Sequence, residues 1–482
     1  MNGITNWCEI GRFGLVFLQY IFKINEFNPI MQNCIAILFM IFGTLAWCYL
    51  LDVFSNHKIN KISYFLFSLI FAASVVWTEQ IYFTCQATET CFILILCPTI
   101  IFLMLNGITE NNKLNITISV ILLIFTLSVY QATIMMFCSG ILICFLLMKE
   151  QTSYDEKSYW FIGLKILAFT ITALIGYLIT NSIVIKFIFN TQSSSYLSSQ
   201  VGIKDNFLIS ICQYVYSILF AKDSLFTLVG NCIISASAKS GSQAIDSFHN
   251  QDLLCNRLFF PALICYFYFI LKNKNKTPLY IITALLIPMC IFILPIAAGG
   301  NIVPRAQYSI PLVTGFIFLY VICMLPKKLK VTIGCLVFLS GFYTMQKSAM
   351  LVYSDQIRYE YDLELAKELN KRIMDISLGA DIPVLLYGAN QEINSGKNFI
   401  SGDCIGKSVF AWNYKKDPAD ASYRGLAFMR AHNYKYYPPV DTDSINKARS
   451  AALNMPSYPD KNCIRNLGNI IIIKLSETTY LP

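Results

Sequence analysis

Charge is scarce in this chain, at 13% of 482 residues, and histidine scarcer still, with 3. The first shortage excludes an ordinary soluble protein, in which about a quarter of residues are charged. The second leaves nothing to build an HExxH motif or a Ser/His/Asp set, and no Cys-x-x-Cys or Cys/His spacing suggests a metal site. A glycine-rich phosphate loop, a low-complexity tract, an internal repeat and a basic amphipathic array are missing as well. No metal, no cofactor and no nucleic-acid partner is therefore expected.

What is present is hydrophobic: 56% of residues, with a mean hydropathy of +0.55. That composition predicts an α-helical polytopic membrane protein. Most of the 17 cysteines lie inside apolar runs, where cysteine acts as a small hydrophobe. About ten runs are long enough to span hydrocarbon: 29–54, 62–77, 90–105, 115–130, 132–148, 160–182, 256–271, 278–297, 307–325 and 331–346. Ahead of them, Phe13 to Phe22 is a short run interrupted by Gln19 and reads as an interfacial helix.

Alternate loops differ in charge. One set, with Lys58, Lys61, Lys113, Lys149, Lys157, Lys272, Lys274, Lys276, Lys327, Lys328 and Lys330, holds about 11 lysines, against about 3 basic residues (Arg12, Lys23, Arg305) in the short segments of the other. The positive-inside rule makes the first set cytoplasmic. The net charge of +9 is thus mainly a topology signal. Trp77 to Glu89, expected as a polar and aromatic loop with two carboxylates and no basic residue, then faces outward. So do the Tyr130-Gln131-Ala132 turn, the segment from about 188 to 255, the loop Ala298 to Arg305 and everything after 347. The N-terminus faces outward too, which in a chain without a cleavable-signal pattern predicts a spanning helix ahead of Met1; a translocated short N-terminus is the alternative.

The reading divides the chain into a transmembrane bundle, 1–346, and a small C-terminal α/β extracytoplasmic domain, 347–482. In the latter about 17 basic and 15 acidic residues nearly balance. Leu365, Leu369, Ile373 and Ile376 share a helix face, while Pro383 to Gly388 and Ile470 to Leu475 read as buried strands. Cys404 and Cys463 lie on the oxidising side, where a disulfide is permitted and two buried thiols is the plainer reading. Asp441-Thr442-Asp443 has the spacing of a metal-binding pair, but its place before a helix makes N-capping the better explanation.

At the outward face a carboxylate suits the role of general base on a hydroxyl, and an arginine suits that of holding a phosphate. Glu79 and Glu89 are candidates for the first, against the plain reading of acidic residues in a translocated loop. Arg12, Arg257 and Arg305 are candidates for the second, against interfacial anchoring. Tyr130 and Gln131 interrupt an apolar stretch as a cavity-lining pair or as a simple turn.

Gly11-Arg12 entering an interfacial helix, the Glu79 stretch, Tyr130-Gln131-Ala132, Pro304-Arg305, Ser408-Val409-Phe410-Ala411-Trp412 and Met455-Pro456-Ser457-Tyr458-Pro459-Asp460 occur in an order that resembles the Gtr-type (type II) bacterial O-antigen glucosyltransferases. The resemblance implies a GT-C-like bundle in the bacterial inner membrane, with the C-terminal domain periplasmic. It implies transfer of glucose from undecaprenyl phosphate glucose to lipid-linked O-antigen, a serotype modification of lipopolysaccharide. A donor-synthesising transferase and a flippase of the same pathway are the implied partners. In that family an aspartate pair lies ahead of the Gly-Arg motif; here only Glu9 stands near, so an inactive truncated transferase is one expectation. Arg12 and Arg305 then hold the phosphate, Glu79 positions the acceptor, and Trp412, Tyr414, Tyr436 and Tyr437 offer sugar-stacking faces or core aromatics. Arg358 and Arg424 are further candidates for that surface. A transporter or flippase of lipid-linked sugars is the rival; it expects repeats or charges inside the spans, where little beyond Lys165 occurs.

Overall fold

The computed structural model describes residues 2–24, 28–151, 155–188, 207–219, 254, 256–273, 277–298, 302–377, 382–390, 399–411 and 420–476. Its chain contacts separate Met1–Ser348 from Ala349–Pro482. The first unit is a bundle of helices whose ends are set by short polar residues. Asn28 caps α3 (Pro29–Phe54), accepting from Met31 N at 3.1 Å, with proline at the first helical position. Asn60 does the same for α4 (Lys61–Ala72), as does Asn112 for α7 (Lys113–Val129) and Thr277 for α12 (Pro278–Ala297). Between them come α5 (Val75–Tyr82), α6 (Thr84–Thr109), α8 (Thr133–Gln151), α9 (Glu156–Ile183), α10 (Phe207–Leu219) and α11 (Phe259–Lys272). The bundle closes with α13 (Ser309–Met324) and α14 (Lys327–Ser377); two short helices, α1 (Asn2–Glu9) and α2 (Phe13–Ile21), precede it.

Six of these helices are long and apolar enough to cross a membrane, seven if the bent pair α4–α5 counts as one, and three shorter apolar helices (α7, α11 and α13) occupy other expected spans. Large apolar side chains on α9, among them Phe161, Leu164, Leu167, Ile171, Ile175 and Leu178, are exposed along one stripe. A stripe of that length needs hydrocarbon against it. The chain is a multi-pass helical membrane protein. Inside the bundle, helices approach closely at glycine: a Cβ on Gly43 of α3 would come within 2.5 Å of Leu94 Cβ on α6. Helix α13 is buried from Ser309 to Ile322.

One expectation is corrected here. Trp77 to Glu89 is not a loop: α5 and the first turns of α6 run through it, broken only at Phe83, and Trp77, Glu79, Gln80, Gln86 and Glu89 are buried. A backbone buried among apolar helices has few partners but its own, so the stretch stays helical on either side of Phe83; ahead of it, α4 and α5 meet at 46° across Ala73-Ser74. Ser74 caps α5 through Val76 N.

The second unit is a three-layer α/β arrangement. Strands β1 (Val384–Tyr387), β2 (Ile464–Asn466) and β3 (Ile471–Lys474) form a sheet ordered β1-β3-β2, parallel between β1 and β3 and antiparallel between β3 and β2. Strand alternation sends Val384 and Leu386 to one face, against Leu365, Leu369 and Ile373 of α14 and Leu426 and Met429 of α15 (Asp420–Ala431). Leu385 and Tyr387 face the other side, against Ala448 and Ala452 of α16 (Thr442–Leu453). Both strands read from the sequence are present; β2 was missed, because its half-exposed Ile-Arg-Asn carries no pattern. Asp441 caps α16, accepting from Ser444 N at 2.6 Å, and Cys404 and Cys463 are buried thiols with no disulfide between them.

Candidate active site

Gly11 explains how Arg12 is delivered. Its φ of +80° ends α1 in a turn in which Arg12 N donates to Trp7 O and Gly11 N to Cys8 O, both at 2.9 Å, a Schellman motif. A side chain is excluded there, since a Cβ would lie 2.5 Å from the Tyr177 hydroxyl. The same hydroxyl donates to Gly11 O at 3.1 Å, and Gln131 Nε2 donates to Ile10 O at 2.8 Å and to Tyr177 at 2.9 Å. Two sequence motifs 120 residues apart, Gly11-Arg12 and Tyr130-Gln131, are thereby one structure. Helix α2 seats behind them, with Gly14 against Ser128 of α7.

Arg12 itself donates to Gln86 Oε1 at 2.7 Å and to Gln131 Oε1 at 3.4 Å. Its guanidinium lies over Tyr130, 4.6 Å from the ring centroid, and over Trp7 at 5.3 Å. The Tyr130 ring continues to Tyr308 at 5.5 Å and Tyr308 to Trp77 at 5.2 Å. The Tyr308 hydroxyl donates to Gln80 Oε1 at 2.8 Å. Arg305, on the short 3-10 turn Pro304–Ala306, lies over the Phe83 ring at 4.3 Å, at the break between α5 and α6. Phe83, under Arg305, and Gln86, which holds Arg12, are three residues apart at the start of α6, and Glu89 follows one turn later. One end of the bundle thus gathers two arginines, three amides, three phenols and a carboxylate.

Glu89 is 1% exposed, one turn beyond Gln86 on α6. The Gln19 amide donates to Cys85 O at 3.4 Å, and Glu89 Oε1 has no hydrogen-bond partner among the described residues. Glu79 is buried on α5 beside Gln80. Glu9 closes α1, two residues before Gly11, and is half-buried. Arg257 pairs instead with Tyr343 of α14, 4.9 Å from the ring centroid.

In the C-terminal unit, Tyr436 packs against the core and donates to Asn370 Oδ1 at 2.6 Å, so it is a core aromatic, whereas Tyr437 is exposed beside Arg430. Arg358 is taken up by Asp355 and Asp362 at 2.8 and 3.2 Å. Trp412 and Tyr414 lie outside the described residues. Sequence reading passed over Gln80, Gln86, Tyr177 and Tyr308. The first two were visible as buried-type amides flanking Phe83, and Tyr308 as the residue one turn after Arg305; Tyr177, a tyrosine in an apolar helix, carried no signal.

Residues 1–322 match the family model described as glucosyl transferase GtrII. No curated protein and no solved structure matches the chain.

Proposed function

The chain belongs to the glucosyl transferase GtrII family, and we propose from that premise that it moves glucose from undecaprenyl phosphate glucose to a hydroxyl of lipid-linked O-antigen, on the periplasmic side of the bacterial inner membrane, in a GT-C-like bundle. The observation that carries the reading is the convergence of Arg12, Arg305 and the buried Glu89 at one end of the bundle. The lysine-rich loops support the side: they belong to the opposite helix ends.

The acceptor oxygen attacks the anomeric carbon, and the bond from that carbon to the phosphate oxygen breaks with its electron pair on the phosphate. The leaving group departs as polyprenyl phosphate, its charge met by Arg12 and Arg305. The acceptor proton passes to the Glu89 carboxylate and from there to water. Glu79, one residue from Gln80, positions the acceptor. Arg12 is held at two nitrogens and stacked on two rings, so little reorganisation is needed when phosphate arrives. Lys165 does not favour the transporter reading: it lies over Phe161 of its own helix, on the stripe with lipid-facing residues.

The test is mass analysis of O-antigen repeat units from cells with and without the gene, supplied with the lipid-linked glucose pathway. One added hexose per repeat, lost on Arg12→Ala or Arg305→Ala, is the expected result. Repeat units of unchanged mass would sink the reading.

A further inference from the structure

Two amides at this site are only half used. Gln86 gives its oxygen to Arg12 at 2.7 Å and Gln80 its oxygen to the Tyr308 hydroxyl at 2.8 Å. Arginine only donates, so Gln86 must turn its NH2 group the other way. Both residues are 0% exposed, and neither Gln80 Nε2 nor Gln86 Nε2 has a hydrogen-bond partner among the described residues. Leaving a buried donor unmade costs about 1–3 kcal/mol each. The Glu89 Oε1 atom, one turn along from Gln86, is an acceptor in the same condition. The groups are physically continuous, through the Tyr308 and Tyr130 rings to Arg12. Two open donors and one open acceptor beside a phosphate-type arginine match a ring that carries hydroxyls and no charge.

We propose that Gln80 and Gln86 form the sugar-reading subsite, donating their open amide N–H groups to hydroxyl oxygens of a neutral hexose whose lipid phosphate sits at the arginines. The inference rests on the transferase reading and assigns the residues that select the sugar. A site that hydrogen-bonds a substrate hydroxyl rejects an analogue lacking it far more strongly than an apolar pocket rejects an extra group.

Gln80→Glu and Gln86→Glu test it, because each keeps the oxygen that Tyr308 or Arg12 uses and removes the N–H donors. The measurement is the shift in melting temperature of the purified full chain on adding a short-chain polyprenyl phosphate glucose, set against the same polyprenyl phosphate without sugar. The wild type is expected to bind the glucosylated lipid more tightly, and each substitution to cut that preference about tenfold. Lipids carrying deoxyglucoses, tried on the wild type, give the same reading with no substitution: at least one deoxy position should lose the preference. Equal response of the wild type to bare, glucosylated and deoxy lipids overturns the proposal, as do variants that keep the full preference. A wild type that prefers the glucosylated lipid yet adds no hexose overturns the transferase reading and leaves the subsite standing.

Discussion

Glu89 and Asp362 are both buried carboxylates on long helices, one in each unit, and their surroundings are opposite. Asp362 is saturated: Ser408 Oγ donates to it at 2.5 Å, Val409 N at 3.1 Å and Arg358 at 3.2 Å. Arg358 and Asp355 complete a network in which Gly406 N also donates to Asp355, pinning the segment around Ser408 to α14. Glu89 Oε1 has no partner among the described residues, and neither do the amide nitrogens of Gln80 and Gln86. A buried charge whose valences are all filled belongs to the fold; on the proposed transferase reading, the incomplete one is the one that meets substrate.

Substitutions should separate the two kinds. The largest effect falls on chemistry: Glu89→Gln is expected to lower hexose transfer about 10²–10⁴-fold, the range for removing a general base, with the melting temperature held or raised. A melting temperature that collapses with activity would move Glu89 into the class of Asp362. Next, Asp362→Ala is expected to destabilise the C-terminal unit by about 3–5 kcal/mol, since it strands Arg358. Asp362→Asn should cost less; limited proteolysis and thermal unfolding of the full chain read both.

Gly11→Ala tests whether the site depends on its strap. The φ of +80° costs about 1–2 kcal/mol for a residue with a Cβ, and the clash with Tyr177 shifts Arg12. Transfer should fall about tenfold for each 1.4 kcal/mol lost at the arginine, with the C-terminal unit unaffected. If transfer is unchanged, the Gly-Arg turn is packing alone.

The smallest effect belongs to Glu368 of the C-terminal unit. Its carboxyl is held below the usual range by the Tyr458 hydroxyl and then by Arg372. A carboxyl lowered in the folded state contributes stability that is present above its unfolded value and lost as pH falls through the folded one. Tyr458→Phe should therefore be slightly less stable than wild type at neutral pH, and the gap should close below about pH 4. Paired melts across pH check it; a gap that widens in acid would remove Tyr458 as the cause.

Much of this site was legible and some was not, for particular reasons. Arg12, Tyr130, Gln131 and Arg305 stand out because polar and basic residues beside apolar runs are expensive to place and are seldom idle. Gln80 and Gln86 were in view but were read as loop residues, because a polar stretch without long apolar runs looks the same whether it lies in water or folds back helically into the bundle. Glu79 and Glu89 are equivalent in sequence; packing buries both and places Glu89 one turn beyond Gln86, the residue that holds Arg12.

The sequence by itself determined the membrane class, the positions of the long apolar helices and both long-patterned strands, because hydropathy and period are local properties of the chain. It determined through Asn28, Asn60, Asn112 and Thr277 where helices begin, since capping is satisfied within a few residues. Only the tertiary structure decided that Gly11-Arg12 and Tyr130-Gln131 are one assembly, and which amide nitrogens stay open. Hydrogen bonds between residues far apart in the chain depend on which helices pack together, and no local pattern records that choice.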